Sequence, residues 1–236
     1  MLTTDLKYHK SWKDFIDNSK YLVDMVTFVS ESKNICPKKE DVFRFFNCDL
    51  DNTKCIILGM DPYPSTYVSD GAILPVATGR AFEVANVVNF TDKYKQSSLS
   101  KIFKTLWYYK YGEILGIDEI RKKIGVSRNK YINIHNWFDG MEKEGVIFLN
   151  ATLTTEIGRS GVHVNLWKLF MDELILFILG KNSNIKWLIW GEQALNRVEN
   201  LVKRENIIYT CHPASRVKNT FVEDCCFKKV EGIEWF

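Results

Sequence analysis

Four short segments of this chain are apolar almost without interruption: residues 54–58 (KCIIL), 146–150 (VIFLN), 185–190 (IKWLIW) and 206–210 (NIIYT). A strand covered on one face alternates polar and apolar residues, whereas an unbroken apolar run needs cover on both faces. Helical patterns lie between the runs. Residues 11–30 read as a helix opening on Ser11 and Asp14. A second helix begins near Ser97 or Ser98, with Leu99, Ile102, Phe103 and Leu106 forming one stripe. A third covers residues 165–179, where Leu166, Phe170, Leu174, Phe177 and Ile178 share a side and Gly180 acts as a stop. Helices between buried strands imply crossover connections, so the expected class is α/β with a central four-stranded parallel sheet.

Each run ends in an unusual polar element: GMDPYP, NATLT, WGEQA and CHPASR. Parallel strands place their exits along one edge of the sheet, where open α/β folds keep their ligands. Four such loops converging on one crevice favour an active site over four unrelated turns.

Without repeats, low-complexity tracts or Gly/Ser linkers, the 236 residues read as one domain spanning 1–236. The chain is 46% hydrophobic and 26% charged, as soluble globular proteins are. Its longest helical apolar run, residues 174–179, is far too short to cross a bilayer, and the N-terminus has no cationic-then-apolar leader. A soluble, cytoplasmic protein without a membrane partner is expected. Six cysteines occur in no CxxC spacing, and Cys55 falls inside an apolar run, which suits a reduced buried thiol. Four scattered histidines offer no metal-ligand pattern, so no metal and no cofactor are expected. The net charge of +3 is too small to point to nucleic acid by bulk attraction.

The exits bring Asp61, Asn150 and His212 into one cleft. A carboxylate beside a histidine suits water activation or charge stabilisation, and a carboxamide suits reading a planar polar ligand. Tyr63 and Phe82 could wall such a pocket. Taken singly, each has a plainer role: Asp61 before Pro62 as a turn residue, Asn150 as a strand terminator, His212 as a loop histidine, Phe82 as core.

The motifs as a set resemble those of family 1 uracil-DNA glycosylases. GMDPYP is similar to that family's GQDPYH loop, ATGRAFEV to AHGLxFSV, QSSLSKIFKTL to PPSLxNIxxEL, FLNATLT to LLNxxLT, WGEQA to WGxxA and CHPASR to AHPSPLS. Weaker echoes are CPKKEDVFRFF, KCIILG and the terminal GIEWF, so the likeness runs from about Cys36 onward. Six motifs in order make coincidence improbable.

The resemblance implies a three-layer α/β/α fold and a monofunctional, metal-independent hydrolase. Its reaction would cleave the bond joining uracil to deoxyribose in DNA, leaving an abasic site for base-excision repair. The target nucleotide would be rotated out of the stack. By the same resemblance Asp61 orients water or stabilises the cationic sugar, and His212 donates to uracil O2. Met60 contributes to the uracil pocket, Asn150 reads N3–H and O4, Tyr63 excludes a 5-methyl group and Phe82 stacks on the ring. Pro64, Ser98, Ser215 and Arg216 are assigned to DNA, Arg216 as the wedge that fills the vacated space.

Departures from the family pattern are Met60 for glutamine, Pro64 for histidine, Glu192 near a phosphate-approaching position and Arg216 for leucine. DPYP and HPxxR also occur in poxvirus relatives. The spacing from Asp61 to Phe82 is longer than usual, so residues 65–75 are expected to form an inserted loop. The expected partners are uracil-containing DNA, single- or double-stranded, and a proteinaceous inhibitor or replication partner, with the protein acting as a monomer. Two rival functions are a DNA-tethering or polymerase-processivity subunit with little catalysis, and a glycosylase for another base.

Overall fold

The computed structural model describes residues 5–126, 133–216 and 220–236. In chain order the helices are α1 (Lys13–Asn18), α2 (Leu22–Glu31), α3 (Ser97–Tyr111), α4 (Ile117–Val126), α5 (Ile134–Lys143), α6 (Val164–Lys181), α7 (Glu192–Val198) and α8 (Thr220–Asp224). The strands are β1 (Ile35–Cys36), β2 (Cys55–Gly59), β3 (Thr66–Ser69), β4 (Ala72–Pro75), β5 (Val146–Asn150), β6 (Thr155–Glu156), β7 (Lys186–Trp190) and β8 (Ile207–Thr210). The four apolar runs are the four strands of one parallel sheet, ordered β5-β2-β7-β8, with ends within a residue of those expected.

Two-sided burial explains the unbroken runs, because successive side chains enter opposite layers. Ile56, Leu58, Ile147, Leu149, Trp187 and Ile189 face a core built with α1, α2 and α6. Cys55, Ile57, Val146, Phe148, Leu188 and Trp190 face the other, built with α3, α4, α5 and the C-terminal segment. The result is the expected three-layer α/β/α arrangement. No helix among the described residues is long and apolar enough to cross a membrane.

Three local expectations are corrected. The segment 11–30 is two helices, because Ser19 is extended (ψ 130°) and is held there by a distant partner. Its hydroxyl donates to Glu173 Oε2 at 2.5 Å and accepts from the Leu22 amide at 3.2 Å, starting α2, while the Lys20 amide donates to Glu173 Oε1 at 2.9 Å. Ser11 starts no helix: it accepts from the Leu50 amide at 3.0 Å, and the turn it sits in is capped by His9. Gly180 does not stop α6, which runs one residue further to Lys181 and is capped by Asn182, whose amide donates to the Ile178 carbonyl at 3.0 Å.

Residues 65–75 are not an irregular loop. They hold the hairpin β3–β4, with Ser69 opposite Ala72 and a two-residue turn at Asp70 and Gly71, both at positive φ (50° and 77°). That geometry matches the twist of paired strands, and Asp-Gly is a favoured pair for it.

Candidate active site

The C-terminal ends of β2, β5, β7 and β8 are stitched together beyond the sheet. The Ala151 and Thr152 amides donate to the carbonyls of Gly59 (2.9 Å) and Met60 (2.8 Å), and the Gly191 amide donates to that of Thr210 (2.9 Å). This continued pairing fixes the four polar exits around one cavity of about 340 Å³. Its walls include Met60, Asp61, Tyr63, Pro64, Phe82, Ser98, Asn150 and His212, eight of the ten residues assigned a site role from sequence. Ser215 and Arg216 lie on the loop after His212, Ser215 donating its amide to the His212 carbonyl at 2.8 Å and Arg216 exposed. The hairpin contributes nothing to the cavity wall.

Asn150, the last residue of β5, is 4% exposed and lies opposite Gly59. A side chain at Gly59 would collide with Asn150 Oδ1, so only glycine leaves room for the carboxamide. That carboxamide has no hydrogen-bond partner among the described residues and faces the cavity. Buried polar groups are ordinarily satisfied, so a carboxamide on the cavity wall is free to bond a water or a ligand there.

Asp61 is half-buried. The Gly161 amide donates to its Oδ2 at 2.7 Å, which leaves Oδ1 for a water or a substrate. Burial raises its pKa above the ordinary aspartate value, and the Gly161 bond offsets part of that rise. The loop carrying Gly161 is tied back to the Asp61 loop by the Gly158 amide, which donates to the Pro64 carbonyl at 2.8 Å.

His212 stands at the rim. Its Nδ1 accepts from the Ala214 amide at 3.1 Å, so in the neutral ring the proton is on Nε2. Partial burial lowers its pKa and favours that neutral form. Gly191, at φ +101°, makes the approach possible: a side chain there would come within 3.0 Å of His212 Cβ.

Phe82 adopts φ +68°, a region that costs a non-glycine residue about 1–3 kcal/mol. Its ring lies 4.7 Å from that of Trp190 and 6.3 Å from that of His212, on the cavity wall and at the edge of the core. Tyr63 is pushed up to about 12, by burial first and with a hydrogen bond to Ser98 opposing it. Ser98, assigned to DNA from the sequence, is largely buried. It is the second residue of α3, 7% exposed, with Ser97 outermost. The Met60 side chain packs against the core, and only its carbonyl takes part in the strand-exit pairing.

No protein-family model matches the chain. It is 27% identical to uracil-DNA glycosylase 1 of Bacteroides fragilis, across 98% of this chain and 100% of that one. It is also 27% identical to the uracil-DNA glycosylase of Flavobacterium johnsoniae, across 89% and 85%. Among solved structures, mimivirus uracil-DNA glycosylase matches with a TM-score of 0.66 at 22% identity, covering 90% of this chain and 71% of that one. UNG from Nitratifractor salsuginis matches with a TM-score of 0.70 at 15% identity, covering 94% and 90%. The fold is that of the uracil-DNA glycosylases.

Several wall residues were not singled out from sequence. Ser160 comes from a loop whose signal, GRSG, reads only as a turn, and the next residue, Gly161, holds Asp61 without lining the wall. Arg80, inside ATGRAFEV, also reaches the wall although it is 5% exposed. Among the described residues no group of His, Cys, Asp and Glu could hold a metal ion.

Proposed function

We propose that this protein is a uracil-DNA glycosylase, hydrolysing the N-glycosidic bond of a flipped-out deoxyuridine to release uracil and leave an abasic site. The observation that carries this is Asn150: a buried carboxamide without a partner among the described residues, on the wall of a cavity shared with Asp61, Phe82 and His212. Relatives bearing that name align over nearly the whole chain.

In this role Asn150 accepts from uracil N3–H and donates to O4. Cytosine presents the opposite pattern and would leave buried groups unpaired, which is a strong basis for rejection. Phe82 stacks on the ring and Tyr63 occupies the space a 5-methyl group would need. As the glycosidic bond breaks, negative charge builds on uracil O2. The neutral His212 offers Nε2–H to it, and one oriented donor to developing charge is worth about 3–4 kcal/mol. Asp61 Oδ1 holds the attacking water or faces the cationic sugar, while Gly161 fixes the other oxygen.

On the DNA side, the N-terminal turn of α3, with Ser97 outermost, suits a phosphate. Pro64 on the cavity wall and Ser215 and Arg216 on the loop after His212 are assigned to DNA, with Arg216 as the candidate wedge. Glu192, exposed at the start of α7, opposes a nearby phosphate. A mimivirus relative has been solved in complex with UGI, which supports a protein partner of that kind here. A tethering subunit without catalysis is not favoured, because it would not need a partnerless carboxamide or a strained phenylalanine at the cavity.

The deciding experiment is uracil release from single- and double-stranded oligonucleotides by the wild type, Asp61→Asn and Asn150→Ala. The wild type is expected to release uracil and both variants to lose most of that activity. An inactive wild type on both substrates refutes the proposal.

A further inference from the structure

Behind the cavity wall that carries Phe82 lies a buried charge cluster. Arg80 Nη1 donates to Glu83 Oε1 at 3.1 Å, an i,i+3 pair that closes around Phe82, and both side chains are almost wholly buried (4% and 1% exposed). The Thr78 hydroxyl donates to the other Glu83 oxygen at 2.6 Å, closing the same turn from its start. The turn is then fastened to α5. Arg80 Nε and Nη2 grip both oxygens of Glu142 at 2.7 and 2.5 Å, Nη2 also meets Asp139 at 2.5 Å, and His135 Nδ1 lies 2.8 Å from Glu83 Oε1. Phe82 is thus the one residue of the Arg80–Glu83 turn at positive φ, bracketed by the pair and anchored through it to a core helix.

We propose that Arg80 and Glu83 are positioning residues for Phe82: their ion pair, anchored on α5, holds the strained turn that presents the ring to the cavity. A backbone conformation unfavourable to phenylalanine persists only where its surroundings over-determine it, and here the surroundings are this cluster. An apolar turn would bury as well without these costly charges. A buried pair is weak evidence for stability and better evidence for fixing one conformation. Arg80 suits the task where lysine would not, because its planar fork meets Glu142 with two parallel bonds while a third nitrogen reaches Glu83. The inference rests on the reading of Phe82 as the ring that stacks on the base.

Glu83→Gln tests it best, since it keeps the side-chain shape, removes the charge and touches no cavity wall; Arg80→Lys is the second variant. Two measurements are made. The first is the 13Cα and 13Cβ chemical shifts of Phe82, which report its backbone conformation without any substrate. Both variants are expected to move them away from the wild-type values. The second is kcat and KM for uracil release in a cycle with Phe82→Ala. Each single variant is expected to lower kcat/KM by about 100-fold, the scale of a roughly 1 Å misplacement. In the Phe82→Ala background the same substitutions should cost less than about threefold, because their effect acts through the missing ring. Unchanged Phe82 shifts, or losses that simply add to that of Phe82→Ala, overturn the proposal and leave the cluster a structural ion pair. If the wild type releases no uracil, the glycosylase reading fails instead, and the chemical shifts alone decide whether the cluster sets the turn.

Discussion

Individual side chains at the cavity carry the clearest consequences. Asp61→Asn keeps the Gly161 contact and the shape but removes the charge facing the water or sugar, so kcat is expected to fall by at least about 100-fold with little change in melting temperature. The pH profile follows from two shifts of opposite sign. Asp61 must be ionised and is raised from 3.8; His212 must be neutral and is lowered from 6.5. Both requirements are met as pH rises, so both transitions belong to the acid limb. Since His212 is already neutral above its lowered value, kcat/KM should be flat from about pH 6.5 into the mildly alkaline range. Activity that falls rather than rises as pH increases through the lowered His212 transition would show that His212 acts protonated. At this scale the sequence was most informative: Asp61, Asn150 and His212 were legible because each ends an apolar run or follows one within three residues. Arg80 and Gly161 were not, because their importance comes from partners 59 to 100 residues away.

At the scale of elements, glycines decide whether the strand exits can meet. Gly191→Ala places a methyl group 3.0 Å from His212 Cβ at a φ of +101°. It is expected to cost about 1–3 kcal/mol of stability and to lower kcat through a displaced His212, measured by melting and by single-turnover uracil release. The β3–β4 hairpin should behave oppositely. It lines no part of the cavity and exposes Val68 and Ile73 at 72% and 73%. Replacing residues 66–75 with a short turn should leave single-turnover uracil release from single-stranded DNA within about threefold of the wild type, with a modest drop in melting temperature as the half-buried Tyr67 is lost. The hairpin's signal was present as Asp70–Gly71 between short β-prone runs. The break at Ser19 had no comparable local signal, since Glu173 creates it from 154 residues away. Short-range pattern finds elements that make their own ends and misses ends imposed by the tertiary structure.

For the whole molecule, the sheet was legible because two-sided burial leaves runs that no exposed strand shows, whereas the three-layer order was implied by the family resemblance. Whether the two cores on either side unfold as one unit is a separate question, and the cysteines can answer it. All six are free thiols. Cys211, half-buried beside His212, is the accessible one; Cys36, Cys48, Cys55, Cys225 and Cys226 are at most 7% exposed. Burial raises the thiol pKa of each of these five, which makes them still less reactive. Cys48 belongs to one core, Cys55 and Cys226 to the other. A thiol reagent such as Ellman's should therefore label one cysteine promptly in the native protein. If residues 1–236 form a single cooperative domain, the remaining five should react together in a slow phase whose rate rises with denaturant as global unfolding does. Separate phases for Cys48 and for Cys55 with Cys226, resolved by mass spectrometry of the labelled peptides, would instead show that the layers open independently and that the sheet is a boundary between two cooperative units.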